Sequence, residues 1–165
     1  AIAPFIFVDD DGTPYFLCGG EVWIARMKDD MTGLAESYRK IGPADGSYVG
    51  HVWPCLIKAH GKYILFLAQI SETVLTAHPQ KYRRNTYDLM YCWSDNVYGP
   101  YSTAKLAVPH AGQNDVFQGK DGRWYGTFFG QDATTPFNHQ FAVFPLEILW
   151  ANGEIIVQQG RTANQ

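Results

Sequence analysis

The side chains best suited to hold or transform a ligand gather in three short stretches. His51-Val52-Trp53 places an imidazole and an indole on either side of a valine. His110 comes just before Ala111-Gly112, and Gln113-Asn114-Asp115 follows with two amides and a carboxylate. Imidazole, amide and carboxylate groups can hydrogen-bond a hydroxylated ligand, and the Trp53 indole offers a face for stacking. His110 and Asp115 are also the candidates for holding a cation. Each residue has a plainer use as well. A lone histidine such as His51 is often structural, an aspartate at a strand start such as Asp115 caps backbone groups, and aromatics in strands, Trp23 and Phe137 among them, are mostly core.

Other chemistries find no support. There is no serine elbow, no phosphate loop and no metal-binding His/Cys spacing. Asp9-Asp10-Asp11-Gly12 lacks the alternating acidic spacing and the distal glutamate of a calcium loop, and reads as a hairpin turn. Cys18, Cys55 and Cys92 are widely spaced in apolar runs, which predicts buried free thiols. The net charge of −3 gives no electrostatic footprint for nucleic acid, and the one basic cluster, Lys81-Tyr82-Arg83-Arg84, reads as a solvated loop. No run of about 18 apolar residues is present, so no membrane span is expected. Ala1 starts directly on a strand pattern, with no leader segment in view.

The elements that must position these residues are strands. Apolar residues make up 46% of the 165 and aromatic ones 15%, a share that favours strands and carbohydrate-facing surfaces. A hairpin pattern occurs three times, around the turn glycines Gly12, Gly61 and Gly122. Glycine takes positive φ without steric cost, which lets such hairpins reverse. A strand-rich unit recurring at roughly 40–50 residues is the mark of propeller blades. Each hairpin is followed by two further strand-like runs, giving units over residues 1–42, 48–108 and 112–160. The expected fold is all-β: one β-propeller-type domain over residues 1–165, with about three four-stranded antiparallel blades in this chain. Fourth strands are expected at 37–41 and 101–108, and a turn at 150–153. Three blades do not close a ring, because known propellers use about four to eight. A homo-oligomer, or a fragment of a longer chain, is therefore expected.

Nine positions before each turn glycine stand Ala3, Val52 and Gln113, and the next positions are Pro4, Trp53 and Asn114. In a propeller, equivalent positions of successive blades face one axis, so Ala3, Val52 and Gln113 are expected to share one cleft.

Here the chain resembles glycoside hydrolase family 43 and the related five-bladed propeller glycosidases. Ala1-Ile2-Ala3-Pro4-Phe5 with Asp9-Asp10-Asp11-Gly12 is similar to that family's second-blade segment. Val49-Gly50-His51-Val52-Trp53-Pro54 with Gly61-Lys62-Tyr63 is similar to its third-blade segment. Tyr98-Gly99-Pro100-Tyr101-Ser102, Pro109-His110-Ala111-Gly112-Gln113-Asn114 and the run from Trp124 to Gly130 resemble its fourth. The first blade, which supplies the family's general-base aspartate, has no counterpart here. Ala3 stands where the family carries the aspartate that tunes the acid, and Val52 stands where it carries the general-acid glutamate. Gln113 stands where a channel histidine is frequent.

Inverting glycoside hydrolysis needs one carboxylic acid and one carboxylate. Alanine and valine supply neither, and losing an acid or base removes roughly 10²–10⁴ in rate. The resemblance therefore implies a carbohydrate-active protein with weak or lost hydrolysis through the usual carboxylates. The alternatives are an active glycosidase that takes its carboxylates from other segments or a partner chain, and a structural propeller module without a sugar site. The implied partner is an oligo- or polysaccharide, with substrate-binding candidates His51, Trp53, Gln113, Asn114 and Asp115. No catalytic residue and no cofactor is assigned, apart from the candidate cation near His110 or Asp115. The family resemblance also implies a secreted or periplasmic setting.

Overall fold

The computed structural model describes residues 2–70, 87–112, 115–129 and 141–161. Gln113 and Asn114, the basic cluster Lys81-Tyr82-Arg83-Arg84 and Phe137 lie outside the described residues. The described chain forms three antiparallel four-stranded sheets and no helix. The first sheet contains β1 (Ile2–Val8), β2 (Pro14–Gly19), β3 (Trp23–Arg26) and β4 (Arg39–Lys40) in that order. The second contains β5 (Val52–Ala59), β6 (Lys62–Ile70), β7 (Tyr87–Ser94) and β8 (Lys105–Val108). The third contains β9 (Val116–Gln118), β10 (Trp124–Phe129), β11 (Phe141–Ala151) and β12 (Glu154–Gln159). These are blades of a β-propeller that does not close within the chain.

Two apolar cores hold the sheets face to face. One, between the first and second sheets, contains Phe7, Leu17, Ile24, Leu56, Leu65, Leu67 and Cys92. The other, between the second and third, contains Cys55, Ile57, Ile64, Phe66, Tyr91, Phe144, Leu146 and Ile155. The second sheet is covered on both faces, so Cys55–Ile57 of β5 and Ile64–Ala68 of β6 are buried without a break. Such a strand reads as a continuous apolar run. Among the described residues the third sheet is covered on one face only, and β12 alternates from Glu154 to Val157.

Side chains fasten neighbouring sheets at their edges. The Lys58 ammonium on the second hairpin lies 2.8 Å from Asp9 and 3.0 Å from Asp10 on the first. The Tyr63 hydroxyl donates to Asp9 at 2.5 Å. Between the second and third sheets, Lys105 pairs with Glu154, Tyr91 donates to the Ile155 carbonyl at 3.2 Å, and Trp93 meets Trp150 edge-on.

The three turn glycines all sit at hairpin tips with positive φ: 85°, 69° and 77° at Gly12, Gly61 and Gly122. Some strand bounds differ from the sequence expectation. The fourth strand of the first sheet contracts from 37–41 to Arg39–Lys40. Ahead of it, side chains replace the ladder: Glu36 accepts from the Arg26 amide and the Tyr98 hydroxyl, and Tyr38 packs on Phe16. The expected strand over 101–108 begins only at Lys105. Tyr101 is instead buried, bridged to Pro43, with its hydroxyl on the Val97 carbonyl. The turn expected at 150–153 narrows to Asn152-Gly153, because Trp150 and Ala151 stay paired with Ile155 and Glu154. All three cysteines are free and buried, as their apolar surroundings implied.

The Asp9 contacts give the first sheet pair an acid-sensitive fastening. Burial pushes the Asp9 carboxyl up, but the Lys58 and Tyr63 hydrogen bonds outweigh it and hold it below the ordinary value of 3.8. A depressed folded-state pKa stabilises the fold above the unfolded value and loses that contribution as pH falls through the folded value. Asp9→Asn is expected to lower stability at neutral pH by about 2 kcal/mol. The gap to the wild type should shrink progressively below about pH 3.8, as urea melts at stepped pH would record. A pH-independent gap would remove the carboxylate from this role.

Candidate functional site

The innermost strands β1, β5 and β9 lie side by side, and all three run in the same sense from the same end of the sheets. That end is where a site can be assembled from residues distant in sequence. Both β1 and β5 open with a β-bulge. Ile2 pairs with Gly19 and Phe5 with Leu17, so one residue is extra on β1. Val52 pairs with Ala68 and Cys55 with Phe66, which repeats the same irregularity on β5. Within the bulges Ala3 has φ 51° and Trp53 has φ 53°. Bulges re-aim side chains, and a non-glycine residue in the left-handed region is uncommon enough to mark a shaped site.

Register aligns these blades differently from the count back from the turn glycines. The bulges make Ile2 the counterpart of Val52, and Ala3 the counterpart of Trp53. The cause lies at the hairpin tips. Between Val8 and its partner Pro14 stand residues 9–13, but between the corresponding Lys58 and Tyr63 stand only residues 59–62. The missing residue shifts the count by one in the second blade. The first and third tips are alike: Gly12 donates to the Asp9 carbonyl, and Gly122 to that of Gly119. Ala3 and Val52 thus occupy neighbouring rows at the same end of adjacent inner strands.

The sequence-predicted His51 and Trp53 come together with two tyrosines not singled out beforehand. The Trp53 and Tyr87 rings meet edge-on with centroids 5.6 Å apart. His51 and Tyr87 lie 6.4 Å apart, and the His51 and Tyr48 rings lie edge to edge and nearly coplanar, with centroids 6.2 Å apart and planes at 16°. The Tyr48 hydroxyl and His51 Nδ1 are hydrogen-bonded at 2.7 Å. The result is a continuous row of four rings from Tyr48 to Trp53.

Backbone contacts hold this row. The Gly20 amide donates to the His51 carbonyl at 2.8 Å, tying the end of β2 to the start of β5, and the His51 amide donates to the Ala68 carbonyl at 3.2 Å. Gly50 has φ 125°, and a Cβ there would stand 2.6 Å from the Ala68 oxygen and 2.9 Å from the Leu67 Cβ. Only glycine lets the chain pass so close to β6 before His51. Gly112 does the same for Tyr87, because a Cβ on it would stand 2.6 Å from the tyrosine Cβ.

His110 and Asp115 take different places. The His110 amide donates at 2.9 Å to the carboxylate of Asp88, a buried residue at the start of β7. Its ring Nδ1 is buried without a hydrogen-bond partner, and so is Gln69 Oε1, on the residue paired with Asp88. Buried polar atoms left unpaired cost free energy and mark positions that a hydroxyl group can complete. Asp115 is exposed, and its amide donates to Thr127 Oγ1 at 2.9 Å. Among the described residues no three His, Cys, Asp or Glu side chains group as metal ligands. Next to Asp115, the Val116 amide donates to Cys55 Sγ at 3.4 Å, joining β9 to β5. Burial pushes this thiol up to about 12, which suits a structural link rather than a nucleophile.

The aromatic row and the unpaired polar atoms went unrecognised in the sequence. Tyr48 and Tyr87 sit at the edges of apolar runs, where an aromatic reads equally as core. Gly50 and Gly112, flanking the two motifs, were the signal that backbone passes close to something there.

No family model matches the chain, and no curated protein matches it in sequence. Solved structures match its fold. An exo-1,5-α-L-arabinanase from a bovine ruminal metagenomic library superposes with a TM-score of 0.71 at 16% identity, covering 95% of this chain and 56% of its own. A GH43_1 enzyme from Xanthomonas citri matches with a TM-score of 0.70 at 19% identity, covering 94% and 56%, and other structures of that enzyme hold xylotriose and xylose. An endo-1,4-β-xylanase from Bacteroides thetaiotaomicron matches with a TM-score of 0.65 at 23% identity, covering 98% and 58%. The chain therefore spans little more than half the length of these enzymes, and over that span it has the β-propeller fold of the glycoside hydrolases of family 43.

Proposed function

We propose that this chain is a carbohydrate-binding segment of a propeller similar to the family 43 hydrolases, with hydrolysis through the family's usual carboxylate positions weak or absent. The observation that carries this reading is the end of the inner strands. His51, Trp53 and Tyr87 gather there, and at the same end of the second sheet two buried polar atoms, Gln69 Oε1 and His110 Nδ1, have no hydrogen-bond partner. Sugars present apolar ring faces and hydroxyls that both donate and accept, which matches such a mixture. The catalytic side of the reading rests on Ala3 and Val52, neither of which can protonate a leaving oxygen or activate water. Gln113, Asn114 and Asp115 are kept as further sugar-contact candidates on chemistry alone, because amides and a carboxylate suit hydroxyl groups.

A second reading, an active glycosidase with carboxylates from outside this chain, has one observation in its favour. The chain spans only 56% of the arabinanase it resembles.

Aryl arabinofuranoside and aryl xyloside assays, run beside thermal melts with the free sugars, separate the possibilities. The expected result is no turnover above the uncatalysed rate, with a melting midpoint raised by several degrees as one of the sugars saturates. Turnover would favour the second reading. A midpoint indifferent to every sugar would overturn the binding site.

The same reading has further blades covering the outer sheet faces, supplied by a longer chain or by a second copy. Ile6, Val8 and Trp23 are exposed on the open face of the first sheet, and Phe117, Val143 and Leu149 on that of the third. Apolar faces of this kind mark contact surfaces. Light scattering at micromolar concentration should give a mass above the 18.6 kDa of the monomer. A well-folded monomer would contradict covering by a second copy.

A further inference from the structure

We infer that the cavity beside the aromatic row, over the first sheet, is a second carbohydrate subsite that takes a neutral sugar residue beyond the one held at His51 and Trp53. The inference rests on the sugar-binding reading of the strand ends and extends it to oligosaccharides.

The cavity lies at the same end of the sheets as the starts of β1 and β5. Its walls are the turn from β2 to β3, the end of β4, and the connector that carries the chain back to the inner strand. Its volume is about 410 Å³, within the usual range for small-molecule pockets. Glycine forms much of the wall. A Cβ built on Gly20 or Gly46 meets nothing within 4 Å, and both residues have positive φ, 110° and 75°. Bare peptide therefore faces open space where a side chain would otherwise intrude.

The polar side chains of the wall, Ser47, Tyr48 and the Glu21–Lys40 pair, carry no net charge. Glu21 and Lys40 are paired at 2.8 Å on the wall, both more than half exposed. Together they offer an acceptor and a donor with no net charge. That arrangement answers hydroxyl groups, which donate and accept, and gives no advantage to a phosphate or a uronate.

Tyr48 links the two places. It lines the cavity, is 58% exposed, and is held by the hydrogen bond between its hydroxyl and His51 Nδ1. The His51 ring bonded to it leads through Tyr87 to Trp53, with centroid steps of 6.2, 6.4 and 5.6 Å. The row therefore joins the Trp53 end of the inner strands to the cavity that Tyr48 lines. The hydrogen bond fixes the Tyr48 ring before any ligand arrives, which lowers the entropic cost of stacking on it.

Titration calorimetry with single sugars and trisaccharides tests this directly. Xylose, arabinose, xylotriose and 1,5-linked arabinotriose are the probes, measured on the 165-residue chain. The wild type should bind one trisaccharide at least tenfold more tightly than its monosaccharide. The double variant Glu21→Ala with Lys40→Ala changes only exposed cavity residues. It should keep the monosaccharide affinity within about twofold and lose most of the trisaccharide gain. Tyr48→Ala should lose that gain as well. A trisaccharide gain that survives both variants would overturn the second subsite, and so would a wild type that binds monosaccharide and trisaccharide equally. A wild type that binds none of the four probes would overturn the primary site, and the subsite with it.

Discussion

A four-stranded sheet of this chain buries only what a neighbouring sheet covers. Each has apolar residues on both faces, so the sheets must stack, and twisted sheets stacked through their faces fan out around an axis. The middle sheet satisfies this constraint within the chain. Its Cys55–Ile57 and Ile64–Ala68 segments are buried between two cores. Fanning places β1, β5 and β9 side by side with their starts at one end. The proposed site follows from this, because residues as distant as Tyr48 and His110 come to one rim without a dedicated scaffold.

The rim is then shaped by local departures from regular strand. Two bulges set Ala3 and Trp53 in the left-handed region, and two close-packed glycines let the chain pass close to β6 before His51 and close to Tyr87. Such features are less favourable than plain pairing, and they persist because the surrounding cores hold the strands. At the opposite end the requirements are simpler. There Lys58, Tyr63 and Asp9 fasten hairpin tips, and the function of the contact is cohesion.

Much of the fold was legible in the sequence because hairpins carry strong local signals. The Asp-Gly turn at Gly12 and the alternation around it depend on nearest neighbours, and the triple repeat gave the blades. Strand edges were harder. Tyr101 looks like the first residue of a strand, but burial against the connector and a hydrogen bond to the Val97 carbonyl draw it out of the ladder. The aromatic row was only half legible. His51 and Trp53 stood out as polar and aromatic residues beside a proline. Tyr87 did not, since its partners stand across the sheet, and neither did Tyr48, whose partner His51 follows three residues on in an irregular connector. Counting from turn glycines missed the register of the second blade by one, because a tip of residues 59–62 replaces one of residues 9–13. Tip length is a local choice that leaves the hydrophobic pattern intact, so the pattern carried no warning of it.

The claim on which the rest stands is that a sugar sits at the starts of the inner strands. Backbone and indole proton–nitrogen shifts followed during titration with xylose and with arabinose locate the contact residue by residue. The expected result is saturable movement centred on Gly20, His51, the Trp53 indole and Tyr87, with Asp9, Lys58 and Gly61 at the far end unmoved. Movement centred on those hairpin tips, or none at all with either sugar at saturating concentration, would contradict it.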